Sequence, residues 1–165
     1  MLKKYSSQLL LSVVLFTTGS AFGQNSTSKK EPGKDLVVAL SRITRLPKPI
    51  AEEGASYAFA LKFVFSENGK IDSIFSSKYT PKEIRPGLIH PSQYQQVNWE
   101  GIFHRKVGKG DILIVPVSIY NPESSKMLPE YNVDDLLNFN FPKEGEKFTP
   151  CLVMQTIVFK YRNLQ

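Results

Sequence analysis

Cysteine is almost missing from this chain. Cys151 is the only one among 165 residues, so no disulfide can form within the chain and the fold must rest on its apolar core. It lies inside "CLVMQTIVF", where a lone cysteine is expected to behave as a small buried hydrophobe rather than a reactive thiol. Histidine is nearly as scarce: His90 and His104 are the two present. Neither belongs to an HExxH helix, a close His pair or a Cys/His ligand pattern, so both are expected on the surface and no metal site is predicted. There is no G-x-S-x-G elbow and no phosphate-cradling glycine loop, so no cofactor is expected either. Gly108-Lys109-Gly110 reads as a turn before a strand. Tryptophan occurs once, as Trp99, and its neighbours Val97, Ile102 and Phe103 make it a core plug by expectation.

Long hydrophobic runs are also lacking. The longest near the start, Leu9–Phe16, is well short of the ~20 residues that span a bilayer. It follows Lys3 and Lys4 and precedes small residues at Ala21 and Gly23, the three-part pattern of a secretory signal peptide cut between Gly23 and Gln24. The expected mature protein is therefore periplasmic or secreted, with no membrane span. Without residues 1–23 the chain keeps 19 Lys and Arg against 15 Asp and Glu, a net of +4. The basic residues are scattered, apart from Arg105, Lys106 and Lys109 beside two glycines. A nucleic-acid footprint needs a basic stripe interleaved with exposed aromatics, so nucleic acid is not an expected partner.

What is present reads as a polar leader over 24–34 and then one α+β domain, 35–165, an antiparallel sheet backed by one or two helices. Leu36, Leu40, Ile43 and Leu46 recur at helical spacing, with Asp35 as the cap and Pro47 and Pro49 as the stop. From Ser56 the period becomes two: Tyr57, Phe59, Leu61, Phe63 and Phe65 share one face of a strand. "SENG" turns the chain, and Ile71–Ser76 return as the second strand of a hairpin. Prolines at 81, 86 and 91 break the middle, with a helix expected from Pro91 to Phe103. "DILIVPVSIY" (111–120) is a strand expected to be buried on both faces. "NPESSKMLPEY" is loop, "NVDDLLNF" is a short helix capped by Asn132, and "CLVMQTIVFKY" is a last strand beside 111–120.

The order of these pieces, "IAEEGASYAFALKFVFSENGKIDSIFSS" followed by "GKGDILIVPVSIY", resembles the carboxy-terminal domain of TonB and its exported relatives over Ile50–Tyr120. That resemblance implies a role in gripping a short peptide of an envelope protein by strand pairing. The chain departs from the family in that its start is expected to be a cleavable signal instead of a membrane anchor, in showing no long Pro-rich spacer, and in a segment that follows Tyr120 through Gln165. No residue-specific binding motif carries over.

Pro116 supplies the sequence's own pointer to a site. It has no N–H to give a neighbour, so that side must face a bulge or an open edge; the open edge is the reading that makes Val115, Pro116, Val117 and Ile119 the strand that takes up a protein or peptide partner. The adjacent carboxylates Glu52/Glu53 and Asp134/Asp135 point in different directions and make no acid–base pair. The alternative is an envelope hydrolase whose groups meet only in the fold, drawing on His90, His104, Asp134 or Cys151.

Overall fold

The computed structural model describes residues 31–44, 46–124, 126–128, 139 and 150–162. The expected signal segment, most of the leader and the helix holding Asp134 and Asp135 lie outside these residues. Among the described residues no helix is long and apolar enough to cross a membrane.

Helix α1 spans Lys34–Ile43 and buries Leu36, Ala39 and Leu40. Asp35 sits in its first turn, and Gly33, in a left-handed conformation with φ 88°, takes the cap position. Its carbonyl accepts the first helical bond, from Val37 N–H at 3.0 Å. A second short helix, α2 (Lys48–Glu53), begins on Pro47 and ends on Gly54, also left-handed. These residues follow the usual placement of proline at the start of a helix and glycine at its end.

Strand β1 (Ser56–Phe65) and β2 (Ile71–Ser76) form the expected hairpin. Tyr57, Phe59, Leu61, Phe63 and Phe65 all point into the core. At about 1.5–3 kcal/mol for each large apolar side chain removed from water, this one face is a major share of the driving force. It is covered by α1, α3 (Arg85–Leu88), a 3-10 helix (Pro91–Tyr94) and α4 (Trp99–Phe103). The continuous helix expected from Pro91 to Phe103 is thus two pieces. Asn98 separates them because its side-chain oxygen accepts from Gly101 N–H at 3.0 Å, a cap that starts a new helix.

Strand β3 (Ile112–Tyr120) lies antiparallel beside β1, with Phe59 opposite Val117 and Ala60 opposite Pro116. Its inner residues Leu113, Val115, Val117 and Ile119 are buried. The other face is only half covered: Ile112, Ile114 and Ser118 are partly exposed and Tyr120 is exposed, so burial on both faces is not what the strand has. Met127–Leu128, read as loop, form a two-residue strand β4 parallel to β1. The last strand is divided into β5 (Cys151–Val153) and β6 (Ile157–Lys160), both parallel to β3. The fold is α+β with helices behind one face of the sheet. The sheet is mixed rather than antiparallel, since β4, β5 and β6 all pair in parallel.

His104 ends α4 in the left-handed region at φ 54°, the one non-glycine with positive φ among the described residues. An L side chain is strained there and glycine is not. His104→Gly is expected to raise stability by about 0.5–1 kcal/mol, seen as a higher urea midpoint at unchanged slope.

Candidate functional site

The open edge expected beside Pro116 is not there. Ser77 N–H donates to the Ala60 carbonyl at 2.9 Å and Ala60 N–H donates to the Ser77 hydroxyl at 3.0 Å, so the Ala60 backbone faces β2. Its antiparallel partner Pro116 must then face away from β1, toward β5 and β6. There the chain is interrupted: β5 ends with Val153 opposite Ile114 and β6 begins with Ile157 opposite Val117. Proline's missing donor produces a break between two neighbouring strands and not a bare edge. Val115, Pro116, Val117 and Ile119 are all buried in an interior strand.

Among the described residues, the open edge lies at the opposite side of the sheet, on β2, the terminal strand of the order β2-β1-β3-β5. Phe65 faces β3, since its N–H donates to the Asp111 carbonyl and its own carbonyl accepts from Gly110 N–H, each at 3.0 Å. Alternation aims Lys62 and Val64 at β2, where they pair with Phe75 and Ser73. The N–H and C=O groups of Ile74 and Ser76 are left pointing outward. Among the described residues none of these four groups has a hydrogen-bond partner. Alternation in the sequence identifies the hairpin without saying which of its sides is left unpaired, so it names no residue of this edge.

Where β2 begins, a groove of about 540 Å³ opens, lined by Gly69, Lys70, Ile71, Pro91, Ser92, Tyr94, Gln95 and Trp99. Its floor is aromatic. Trp99 is half-buried, with its ring 5.3 Å from Phe63 and 5.1 Å from Phe65 between centroids. Tyr94 stands edge-on to Phe63 at 5.0 Å. Its buried hydroxyl donates to the Leu88 carbonyl at 2.8 Å, and burial pushes the phenol well above its ordinary pKa. Trp99 is therefore both a core contact, as expected, and a groove wall. Lys70 is exposed at the rim, and its ammonium pairs with no described residue.

The residues on which a hydrolase would draw are dispersed. His90 precedes the 3-10 helix, His104 follows α4, and both are exposed. Cys151 opens β5 and is exposed rather than buried: it pairs with Ile112 on the uncovered face of the sheet. Asp134 lies outside the described residues. His90 Nδ1 lies 2.8 Å from the Ser92 hydroxyl at the groove mouth, but among the described residues nothing accepts from its other nitrogen, so the base has no orienting partner. Glu52 and Glu53 do diverge: Glu52 pairs with Lys48, while Glu53 accepts from Lys126 at 2.7 Å and from the Tyr57 hydroxyl at 2.5 Å. Lys126 first and Tyr57 second hold the Glu53 carboxyl below its usual range, and a carboxylate so stabilised is a poor general base. Burial first, then that same bond, raises the Tyr57 phenol. Among the described residues no cluster of His, Cys, Asp and Glu is placed to hold a metal ion.

Behind the hairpin turn, Arg105 grips Asp111 with two bonds of 2.6 and 2.7 Å, and Gly108 N–H donates to the same carboxylate at 2.8 Å. Arg105 and then the Gly108 amide hold the Asp111 carboxyl below its ordinary value of 3.8. A depressed folded-state pKa gives stability that is fully present above the unfolded value and is lost as pH falls through the folded one. Asp111→Asn is therefore expected to lower the urea midpoint at pH 7, with the gap to the parent constant down to the ordinary value of 3.8 and closing below it. Val117 aims its N–H at Phe59 inside the sheet, so Val117→Pro is expected to destabilise by at least about 2 kcal/mol in the same assay. Compared with protein-family models, with curated proteins and with solved structures, the chain matches none.

Proposed function

We propose that the chain is an exported, non-catalytic binding protein of the cell envelope that takes up an extended segment of another protein by strand addition on β2. The observation that carries this reading is the backbone of Ile74 and Ser76, unpaired among the described residues, on the terminal strand of the sheet. Such an edge offers hydrogen bonds of main-chain geometry to any extended peptide, and pockets beside it choose among side chains. The aromatic groove at Ile71 is a pocket of that kind. The resemblance of Ile50–Tyr120 to the TonB carboxy-terminal domain supports the same reading, with the binding edge now placed on β2.

Long, flat, apolar edges invite indiscriminate pairing. Here β2 is six residues long and carries Asp72 at an irregularity in its register with β1, features that restrict pairing to a short stretch.

The test is crosslinking capture in intact envelopes with the chain from residue 24 onward, alongside Ser76→Pro. Proline at 76 removes an N–H that faces outward and is tolerated on an edge strand. One dominant partner is expected, lost with Ser76→Pro while circular dichroism and the urea midpoint stay within about 0.5 kcal/mol of the parent. In the captured complex, amide exchange at Ile74 and Ser76 slows. Capture of no partner, or of a partner that Ser76→Pro retains, overturns strand addition.

A further inference from the structure

The groove at the start of β2 and the direction of the strand together say which part of a partner would lie there. β2 runs from Ile71 to Ser76, and upstream of Ile71 the chain folds back through Ser66–Lys70. Ser66 N–H donates to the Lys70 carbonyl at 2.9 Å and Gly69 N–H to the Ser66 carbonyl at 3.0 Å. A strand added to β2 therefore runs out of backbone partners at Ile71. The groove opens at that point, with Ile71, Pro91, Tyr94 and Trp99 as its apolar lining. Its volume, about 540 Å³, falls in the ~300–1,000 Å³ range of sites that enclose a small ligand.

Among the described residues, the only charged side chain lining the groove is Lys70. Its ammonium is without a partner among the described residues, so it offers an uncompensated positive charge where the added strand would stop. A partner running parallel to β2 would bring its positively charged amino end there, and an antiparallel partner its carboxyl end. Charge therefore selects the antiparallel direction.

On the strand-addition reading above, we propose that this groove captures the free carboxyl terminus of the partner. The last side chain, large and apolar, rests on Ile71, Pro91 and Trp99, and the terminal carboxylate meets Lys70. The partner is thus a protein whose chain ends in an exposed, extended tail with an aromatic or large aliphatic last residue.

Trp99 is the sole tryptophan, so its emission reports occupancy of this groove directly. Acetylated hexapeptides of alternating threonine and valine, ending in phenylalanine, leucine or serine, would be titrated as free acids and as amides. The phenylalanine and leucine acids are expected to change Trp99 emission saturably, and the serine acid to bind at least about tenfold more weakly. Amidation weakens binding by about three- to fivefold, as befits an exposed ion pair, and Lys70→Gln removes the difference between acid and amide. Equal binding of acid and amide to the parent, still abolished by Ser76→Pro, overturns terminal capture and leaves strand addition standing. Acid-selective binding that survives Ser76→Pro supports terminal capture and overturns strand addition. Unchanged Trp99 emission with every peptide overturns terminal capture.

Discussion

The burial of one face of β1 is the constraint from which the rest of the structure follows. Five consecutive inward positions of this strand are apolar and large, from Tyr57 to Phe65, and no hairpin can shelter them alone. The far half of the face is met by rings: Phe65 stands edge-on to both Trp99 and Phe103, at 5.1 and 5.5 Å. Phe63 takes Tyr94 and Trp99. Edge-to-face pairs of this kind add about 0.5–1.5 kcal/mol each to the burial itself. Leu36, Ala39 and Leu40 of α1 and Ile50 of α2 belong to the same buried cluster. The short helices of the middle segment need little intrinsic helicity, because the strand they cover supplies their stability.

That same packing creates the groove. Trp99 is large enough to serve the core with one part of its ring system and a cavity with another. The 3-10 helix carries Tyr94 inward and leaves Pro91 and Ser92 at the surface. The groove is the gap between this helix and the start of β2, so its apolar wall is an extension of the hydrophobic core. The polar groups around Glu53, Asp111 and Asn121 are satisfied internally. Glu53 is saturated by two donors, Asp111 by three, and Asn121 ties Ser56 and Gly54 to the end of β3 through its backbone N–H and side-chain amide. Groups so engaged hold loops in place and are poorly suited to proton transfer.

Much of the fold was legible in the sequence where a single local rule acts on every residue of an element. The alternation from Tyr57 to Phe65, the turn at Asn68 and Gly69, and the helical spacing of Leu36 and Leu40 all specify their elements. The side-by-side placement of the last strand with Ile112–Tyr120 follows from their shared apolar character. What local rules do not carry is neighbourhood. Pro116 signals a missing donor, and only the neighbours of β3 show that the gap falls between β5 and β6. Cys151 looks buried by composition and is exposed because its strand is short, peripheral and turned toward the uncovered face. The candidate site combines a strand edge with residues some twenty positions later, and no spacing rule connects Ile74 to Trp99.

The interruption opposite Pro116 has a consequence for how the chain comes apart. Were β5 and β6 one continuous strand, releasing the carboxyl end would mean breaking its whole ladder with β3 in a single cooperative event. Divided by a register step, from Val153 beside Ile114 to Ile157 beside Val117, the two halves are separate rungs on a common template. Each can lift without the other and without disturbing the pairing of β1 with β3, so opening from this end proceeds in graded local steps below the free energy of global unfolding. A residue that looks like a defect in a strand thus acts as a perforation, making the last segment detachable in parts from a sheet that otherwise stays whole.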